Sequence, residues 1–579
     1  MVNSETSENL PRLFLSRIDD TFDPARDITL GPWCFVGNED ACPDWEAQPF
    51  FDAFENGQEL RDAVTGIEAL LAHRITLLAD ILNRRHGVNY SFAFWWTLTQ
   101  RWLGNLISSS WRRWVHVSKF TELPDAKELS VVVSDDSEAI AWDFVDSADF
   151  SKRGLQSERF DCWLWSRCAA RLAPKTWNLV PRTGSRNFDE QPTSDPPARS
   201  NALRRFFRAR LGRLPLADVP GSSAATIGFF SCLLQILPRR DAAGFRITPR
   251  QTPGDVFPPE YLALLDFLIE KTMPLSLGAD FEKRDSVARS LAYSPGRLFV
   301  SGSATINDAA NFQTAHAIEA GERIVHIQHG SDYGTMAHVT FEASGEYLNE
   351  AFLTWGWRQQ NAHPGHFVPV PAPGLSRLRN RHSRKTDDVI LVGTKMTLNS
   401  RRIDYAPQPT DIVRYRRNKL AFVSALNEPV RQSLLYRPYK RAKTDLDDAL
   451  FMQTNIKNLR LCEGDLDEAI LGCRLLVLDH PGTLLNVALA ANIPTVCYWD
   501  PAAWPLAPEA VPFFDALAKA GIIYPNAATA AAQVTVVFEN ATIWWSSADV
   551  QIARIAWAHQ FARTSKIWWW HWMRTLAKL

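Results

Sequence analysis

Apolar residues recur at helical spacing from Glu59 to about Phe120, and the run ALLAHRITLLADILNRRHG predicts one amphipathic helix that stops at Gly87. The period then changes. RLFVSGS (297–303), the segment 306–320 and RIVHIQHG (323–330) read as strand, helix and strand, with Gly321 closing the helix. A crossover of this kind makes the two strands parallel and ends the second at His329. HFVPVPAPGLSRLRNRHSRKTDD (366–388) combines prolines and a basic run without a hydrophobic period, as an interlobe linker does, and the boundary is drawn at 376–388. Beyond it, VILVGT (389–394), a helix over 412–427, SLLYRPY (433–439), LRLCEG (459–464), a helix over 465–474, LLVLD (475–479), a helix over 483–491 and PTVCYW (494–499) alternate. That alternation predicts a doubly wound parallel sheet. The expected fold class is α/β, with a first lobe at 1–375 that begins mostly helical, a second at 389–545, and C-terminal helices at 546–579 packing back across both. The polar, proline-bearing stretch 185–201 reads as an exposed loop.

Bulk properties narrow the classes. At 579 residues the chain can hold about four average domains or two or three larger lobes. A net charge of -1 with no long basic tract argues against a nucleic-acid partner, whose phosphates would have to be neutralised. The eight cysteines are scattered with no CxxC pair, which suits a reducing cytoplasm. The start MVNSETSENLPRLF lacks the pattern of a secretory signal, and no stretch of about 18 apolar residues predicts a membrane span. Tryptophan is abundant, at 22 residues. Two readings of segments such as KIWWWHWMRTLAKL (566–579) stay open: core and interlobe packing, or peripheral contact with the inner membrane through Trp568, Trp569, Trp570 and Trp572 beside Lys566, Arg574 and Lys578.

Two short motifs carry the candidate chemistry. In LLVLDHPGTLLNVALAANIP, an apolar strand, a four-residue turn and an immediate helix would put backbone N–H groups and a positive dipole end at the strand tip, where phosphate binds readily. His480 and Thr483 can add donors, Pro481 stiffens the turn and Gly482 lets a ligand approach. The plain alternative is a strand-to-helix turn capped by Thr483. In HIQHGSDYG, His329 at a strand end could take a proton near neutral pH, with Asp332 orienting the ring or serving as base; the alternative is a structural histidine. Glu342 and Glu346 are further carboxylate candidates that spacing does not rank. Lys395 and Arg437, each just after a predicted strand, could meet a phosphate or a donor carboxylate, or simply be solvated. No His/Cys cluster has metal-ligand spacing, and the pair Asp445 and Asp447 reads as an exposed loop, so neither a metal nor another cofactor is called for.

LFLSRIDDTFDP with LGPWCFVGNE, LADILNRRHGVNYSFAFWWTLTQRWL, IQHGSDYGTMAHVTFEASGEYLNEAFLTWGW and LDHPGTLLNVALAANIPTVCYWDPAAWPL together resemble a family of large bacterial surface-carbohydrate transferases. The arrangement is similar, more distantly, to sialyl-, polysialyl- and Kdo-transferases of GT-B architecture. The resemblance implies two Rossmann-like lobes facing a cleft, with a helical N-terminal elaboration and C-terminal helices. His480 and Pro481 match the His-Pro motif that binds CMP there. The acidic-Gly motif supplying the base is not matched: Gln328, His329 and Gly330 stand at its place, Asp332 stands where glycine is expected, and Asn486 where glutamate is frequent. The implied activity is transfer of a CMP-activated ulosonic acid, of the Kdo or nonulosonate type, onto a glycan or lipid-linked glycan acceptor at the cytoplasmic face of the membrane. Two other readings remain: a CDP-alcohol polyol-phosphate transferase, and a non-catalytic glycan-binding scaffold.

Overall fold

The structure is a computed structural model that describes residues 10–579 apart from 55–56, 184–215, 218–223, 245–255, 302–307, 340–342, 344, 382, 399–401, 405 and 441–444. The loop expected at 185–201 therefore lies outside the described residues. Among those described, three parallel sheets organise the chain. The first holds β1 (Arg12–Phe14), β2 (Ile28–Thr29), β3 (Ser130–Val133) and β4 (Asn178–Pro181) in the order β2-β1-β3-β4. The start is mostly helical, as expected, but it also holds this sheet, which the sequence did not announce. Strands of two to four residues are too short to show a period.

The helices that were legible here are Gly57–His86, which ends as Gly87 turns to a φ of 63°, and Phe92–Thr121, capped by the Ser91 hydroxyl on Phe94 N–H. The second buries Trp95, Trp96 and Trp102 completely, so packing accounts for these tryptophans.

The second sheet runs β5 (Leu216–Ala217), β6 (Leu298–Ser301), β7 (Arg323–Ile327), β8 (Ala351–Thr354) and β9 (Phe367–Pro369), in chain order and all parallel. Helix Asp308–Glu319 makes the crossover between β6 and β7, closed by Gly321 at a φ of 73°. The linker expected at 366–388 is shorter than that. Its first part is β9, an edge strand where Pro369 forfeits no ladder bond, and a six-residue helix, Pro373–Leu378, with proline in its first turn. Neither is long enough to display a hydrophobic period.

The third sheet has β10 (Val389–Val392), β11 (Leu434–Arg437), β12 (Arg460–Leu461), β13 (Leu475–Leu478), β14 (Thr495–Tyr498) and β15 (Ile523–Tyr524), ordered β12-β11-β10-β13-β14-β15. β10 and β13 are buried throughout, hence the unbroken apolar runs VILV and LLVL. The chain winds outward from β10 in one direction and then returns to build from β13 in the other. The reversal makes a crevice at the carboxyl ends of β10 and β13, the usual ligand position in an open α/β sheet.

Helix Ala548–Phe561 lies on helices Thr483–Ala491 and Val511–Lys519, with Trp557 Nε1 donating to Asn486 Oδ1 at 2.8 Å. The chain then crosses to the second sheet: Arg563 N–H donates to the Trp355 carbonyl, and Ala372 N–H to that of Arg563, both at 2.8 Å. Gly356 permits the crossing, because a Cβ there would sit 2.5 Å from the His559 carbonyl oxygen. The last helix, Trp568–Lys578, buries Trp572 against the second sheet. Among the described residues no helix is long and apolar enough to cross a membrane.

Candidate functional site

β7 delivers Gln328 and His329 to its carboxyl end. The buried Gln328 amide fixes the turn: its oxygen accepts from Trp355 N–H at 2.7 Å and Trp357 Nε1 at 2.8 Å, while its nitrogen donates to the Gly330 carbonyl at 2.7 Å. These three bonds tie the ends of β7 and β8 together and give QHG and TWGW a shared physical reason. Gly334, at a φ of 79°, leaves room for the Trp357 ring, which a Cβ would approach to 2.6 Å.

His329 is exposed at this turn. Its Nδ1 lies 3.1 Å from the Tyr333 hydroxyl, whose ring meets the imidazole edge-on at 5.1 Å. Tyr333 in turn donates to Glu346 Oε2 at 2.7 Å, and Glu346 is completely buried. With the phenol proton directed at Glu346, the phenol oxygen accepts from a protonated ring nitrogen of His329, whose Nδ1 lies 3.1 Å and Nε2 3.5 Å away. Asp332 is exposed, and its carbonyl accepts from Thr335 N–H at 3.2 Å and Met336 N–H at 3.0 Å to close the turn. Glu342 lies outside the described residues. Tyr333 is the member of this cluster that sequence reasoning missed; nothing local marks it, since its role depends on Glu346, thirteen residues away across the fold.

The second turn begins at Asp479, fully buried at the end of β13. One carboxylate oxygen accepts from Thr394 N–H at 3.2 Å, and the other from His480 Nδ1 at 2.9 Å. A carboxylate accepts only, so Nδ1 carries the proton and Nε2 is the free nitrogen. That nitrogen hangs over Gly482, where a Cβ would come within 2.5 Å of it. Asp479 could have been singled out from the sequence, as an acid directly before a histidine at a strand end. Burial and the Asp479 carboxylate push the Cys497 thiol and the Tyr498 phenol well above their usual ranges, so both stay protonated; Cys497 Sγ donates to the His480 carbonyl at 3.4 Å.

Gly482, not Thr483, is the N-cap of helix Thr483–Ala491, and it makes no side-chain cap bond. The Thr483 hydroxyl instead reaches the other turn and accepts from Ser331 N–H at 3.2 Å, leaving its own proton free to donate. Nearby, the segment after Ser331 pairs with the chain after Trp504: Ala337 N–H donates to the Pro505 carbonyl at 2.9 Å, and Ala507 N–H to that of Thr335 at 2.8 Å. The two histidine turns, far apart in the chain, are thus neighbours.

Two cavities flank them. One of about 940 Å³ opens at the carboxyl ends of β10 to β12 and is lined by Lys395, Arg437, Thr394 and Asp448, among others. Arg437 Nη1 donates to the carbonyls of Cys462 at 2.8 Å and Gly464 at 3.0 Å, holding the loop that forms its far wall. Asp445 corrects the expectation of an exposed pair: it is buried and accepts from the Thr397 hydroxyl at 2.6 Å, while Asp447 caps helix Asp448–Asn455. A smaller cavity of about 210 Å³ lies beside His329, between helix Pro373–Leu378 and Val487. His480, Pro481, Gly482 and Thr483 line neither cavity but stand between them, joined through Asp479 to Thr394 and through Thr483 to Ser331. Among the described residues no three His, Cys, Asp or Glu side chains converge as a metal site.

The family model described as LIC12162 family transferase matches residues 11–576, nearly the whole chain. No curated protein matches it.

Proposed function

We propose, from the premise that the chain belongs to the LIC12162 transferase family, that it is a GT-B-type glycosyltransferase moving a CMP-activated ulosonic acid onto a glycan or lipid-linked glycan acceptor. The observation that carries this reading is the Ser331–Thr483 hydrogen bond, which sets a histidine at the carboxyl edge of one parallel sheet beside the helix N-terminus of another. In this reading residues 1–375 form the acceptor side, 376–388 the connection, 389–545 the donor side and 546–579 a strap across them. The acceptor hydroxyl gives its proton to the His329 imidazole, with Tyr333 and Glu346 holding the ring. The acceptor oxygen bonds to the anomeric carbon as the bond from that carbon to phosphate breaks, and CMP leaves with the electron pair. His480 Nε2, the Thr483 hydroxyl, the N–H groups and dipole of helix Thr483–Ala491, and the cations Lys395 and Arg437 stabilise the departing phosphate.

Thermal shifts with CMP, CDP, UDP and GDP test the donor. CMP at a hundred times its dissociation constant should add about 2.7 kcal/mol of stability. Stabilisation by UDP or GDP without CMP would remove the ulosonic-acid donor, and a response to CDP alone would favour a polyol-phosphate donor. Gly482→Ala gives a finer check. Its methyl group displaces the imidazole of His480, so CMP should bind about tenfold more weakly, the worth of one hydrogen bond, with the melting temperature of the free protein little changed. Undiminished affinity would take His480 out of the donor site.

A further inference from the structure

The tail helix Trp568–Lys578 has one face accounted for and one that is not. Trp568 and Trp572 pack with Phe230, of helix Ala224–Ile236, on the second sheet. The outward side carries Trp569 and Trp570, 45% and 41% exposed, with Ile567 beside them. Phe229 and Ile236, the latter 79% exposed, extend the apolar surface onto the neighbouring helix. Cations stand among these side chains. Trp570, Arg574 and Lys578 are spaced by four and share a helix face, Lys566 precedes it, and Arg239 lies three residues beyond the end of the neighbouring helix; all four cations are exposed. From Val550 to Leu579 the sequence has five Lys and Arg and no Asp or Glu, and Ala224 to Arg240 has no Asp or Glu either, with Asp241 following. Glu350, which approaches from the sheet, is occupied by Arg323 at 2.6 Å.

We infer that this two-helix face is a docking surface for an anionic lipid bilayer, with Trp569 and Trp570 seated at the headgroup level and Lys566, Arg574, Lys578 and Arg239 meeting the lipid phosphates. The charge is complementary to that surface. Indole rings with an apolar body and one N–H donor favour the headgroup zone, and nearby cations add attraction to anionic lipid. Lys566, Arg574, Lys578 and Arg239 outnumber the one acid that follows the neighbouring helix, Asp241, so the net charge of these two segments is positive. The surface is separate from both cavities, so the docking does not depend on which donor is transferred.

Co-sedimentation of the full chain with vesicles tests it. The chain should bind phosphatidylcholine vesicles containing phosphatidylglycerol, bind pure phosphatidylcholine much less, and be released by salt. Trp569→Ala/Trp570→Ala and Lys566→Glu/Arg574→Glu should each weaken binding roughly tenfold or more, since each cation near the surface is worth about fivefold. Both variants alter exposed positions, so their melting temperatures and their thermal responses to CMP should match those of the unaltered chain. Absence of binding to anionic vesicles at low salt, or equal binding by both variants, would overturn the inference. So would a dimer in sedimentation velocity that the tryptophan variant dissolves while vesicle binding is absent, because a second copy would then cover the face.

Discussion

Replacing His329 with alanine is expected to lower turnover by about 10²–10⁴, the usual contribution of a positioned general base, while the thermal shift produced by CMP stays as it was. The two readouts separate because His329 stands on the second sheet, beyond the Ser331–Thr483 bond, whereas the groups assigned to the phosphate stand on the third. Tyr333→Phe should have a smaller effect in the same direction. It removes the hydroxyl between His329 and the buried Glu346 without emptying the space, so the ring loses its orientation but keeps its nitrogen. A loss confined to turnover in both variants, larger for His329→Ala, fits base catalysis. Unchanged turnover in His329→Ala would leave the proposed reaction without its base, and a parallel loss of CMP binding would make the residue a donor ligand instead.

What the sequence disclosed depends on how local the physics is. Five of the six strands of the third sheet were legible, and the runs VILV, LLVL and TVCY most sharply, because they are buried and bounded by turn residues; the two-residue β15 was not among those expected, while helix Thr483–Ala491 begins and ends where its glycine and asparagine flanks place it. The first sheet was hidden because β1 and β2, three and two residues long, are set by pairing with chain more than ten residues away. The site divides in the same way. His329 and His480 stand out as histidines at strand ends, and Asp479 was readable beside one of them. Glu346 could be listed but not chosen, since the hydroxyl that connects it to His329 comes from Tyr333 through the packing of the turn. Thr483 looked like a helix cap by position, yet its hydroxyl meets Ser331, 152 residues away, and Gly482 takes the cap. Local pattern thus located the candidate side chains, while the contacts they make came from tertiary packing.

The largest stability effect is expected from Lys419→Met. The Lys419 ammonium is completely buried in helix Pro409–Ala425 and bonds Asp448 Oδ2, with the Tyr436 hydroxyl 3.3 Å away. Tyr436 donates its own proton to the same carboxylate oxygen. Burial, and then that carboxylate, raise the Tyr436 phenol well above its usual range, so it stays a donor. Removing the ammonium leaves one phenol to compensate a buried carboxylate, and breaking such a pair from one side costs about 3–5 kcal/mol. The melting temperature of a cooperative unit of 150–250 residues would fall by roughly 6–20 °C. Lys419→Met/Asp448→Leu should recover much of this, because replacing both charges removes the desolvated ion along with its partner. The cluster also underlies the larger cavity: Asp448 lines it, and Gly393 at the end of β10 leaves only 2.4 Å between its Cβ position and the Tyr436 oxygen. Lys419→Met should therefore weaken CMP binding in whatever fraction stays folded, measured below the unfolding transition, and the double variant should restore stability more fully than binding. A single variant within about 1 kcal/mol of the unaltered chain, or a double variant that is merely additive, would show that Asp448 finds other compensation and that the pair does not hold the cavity floor.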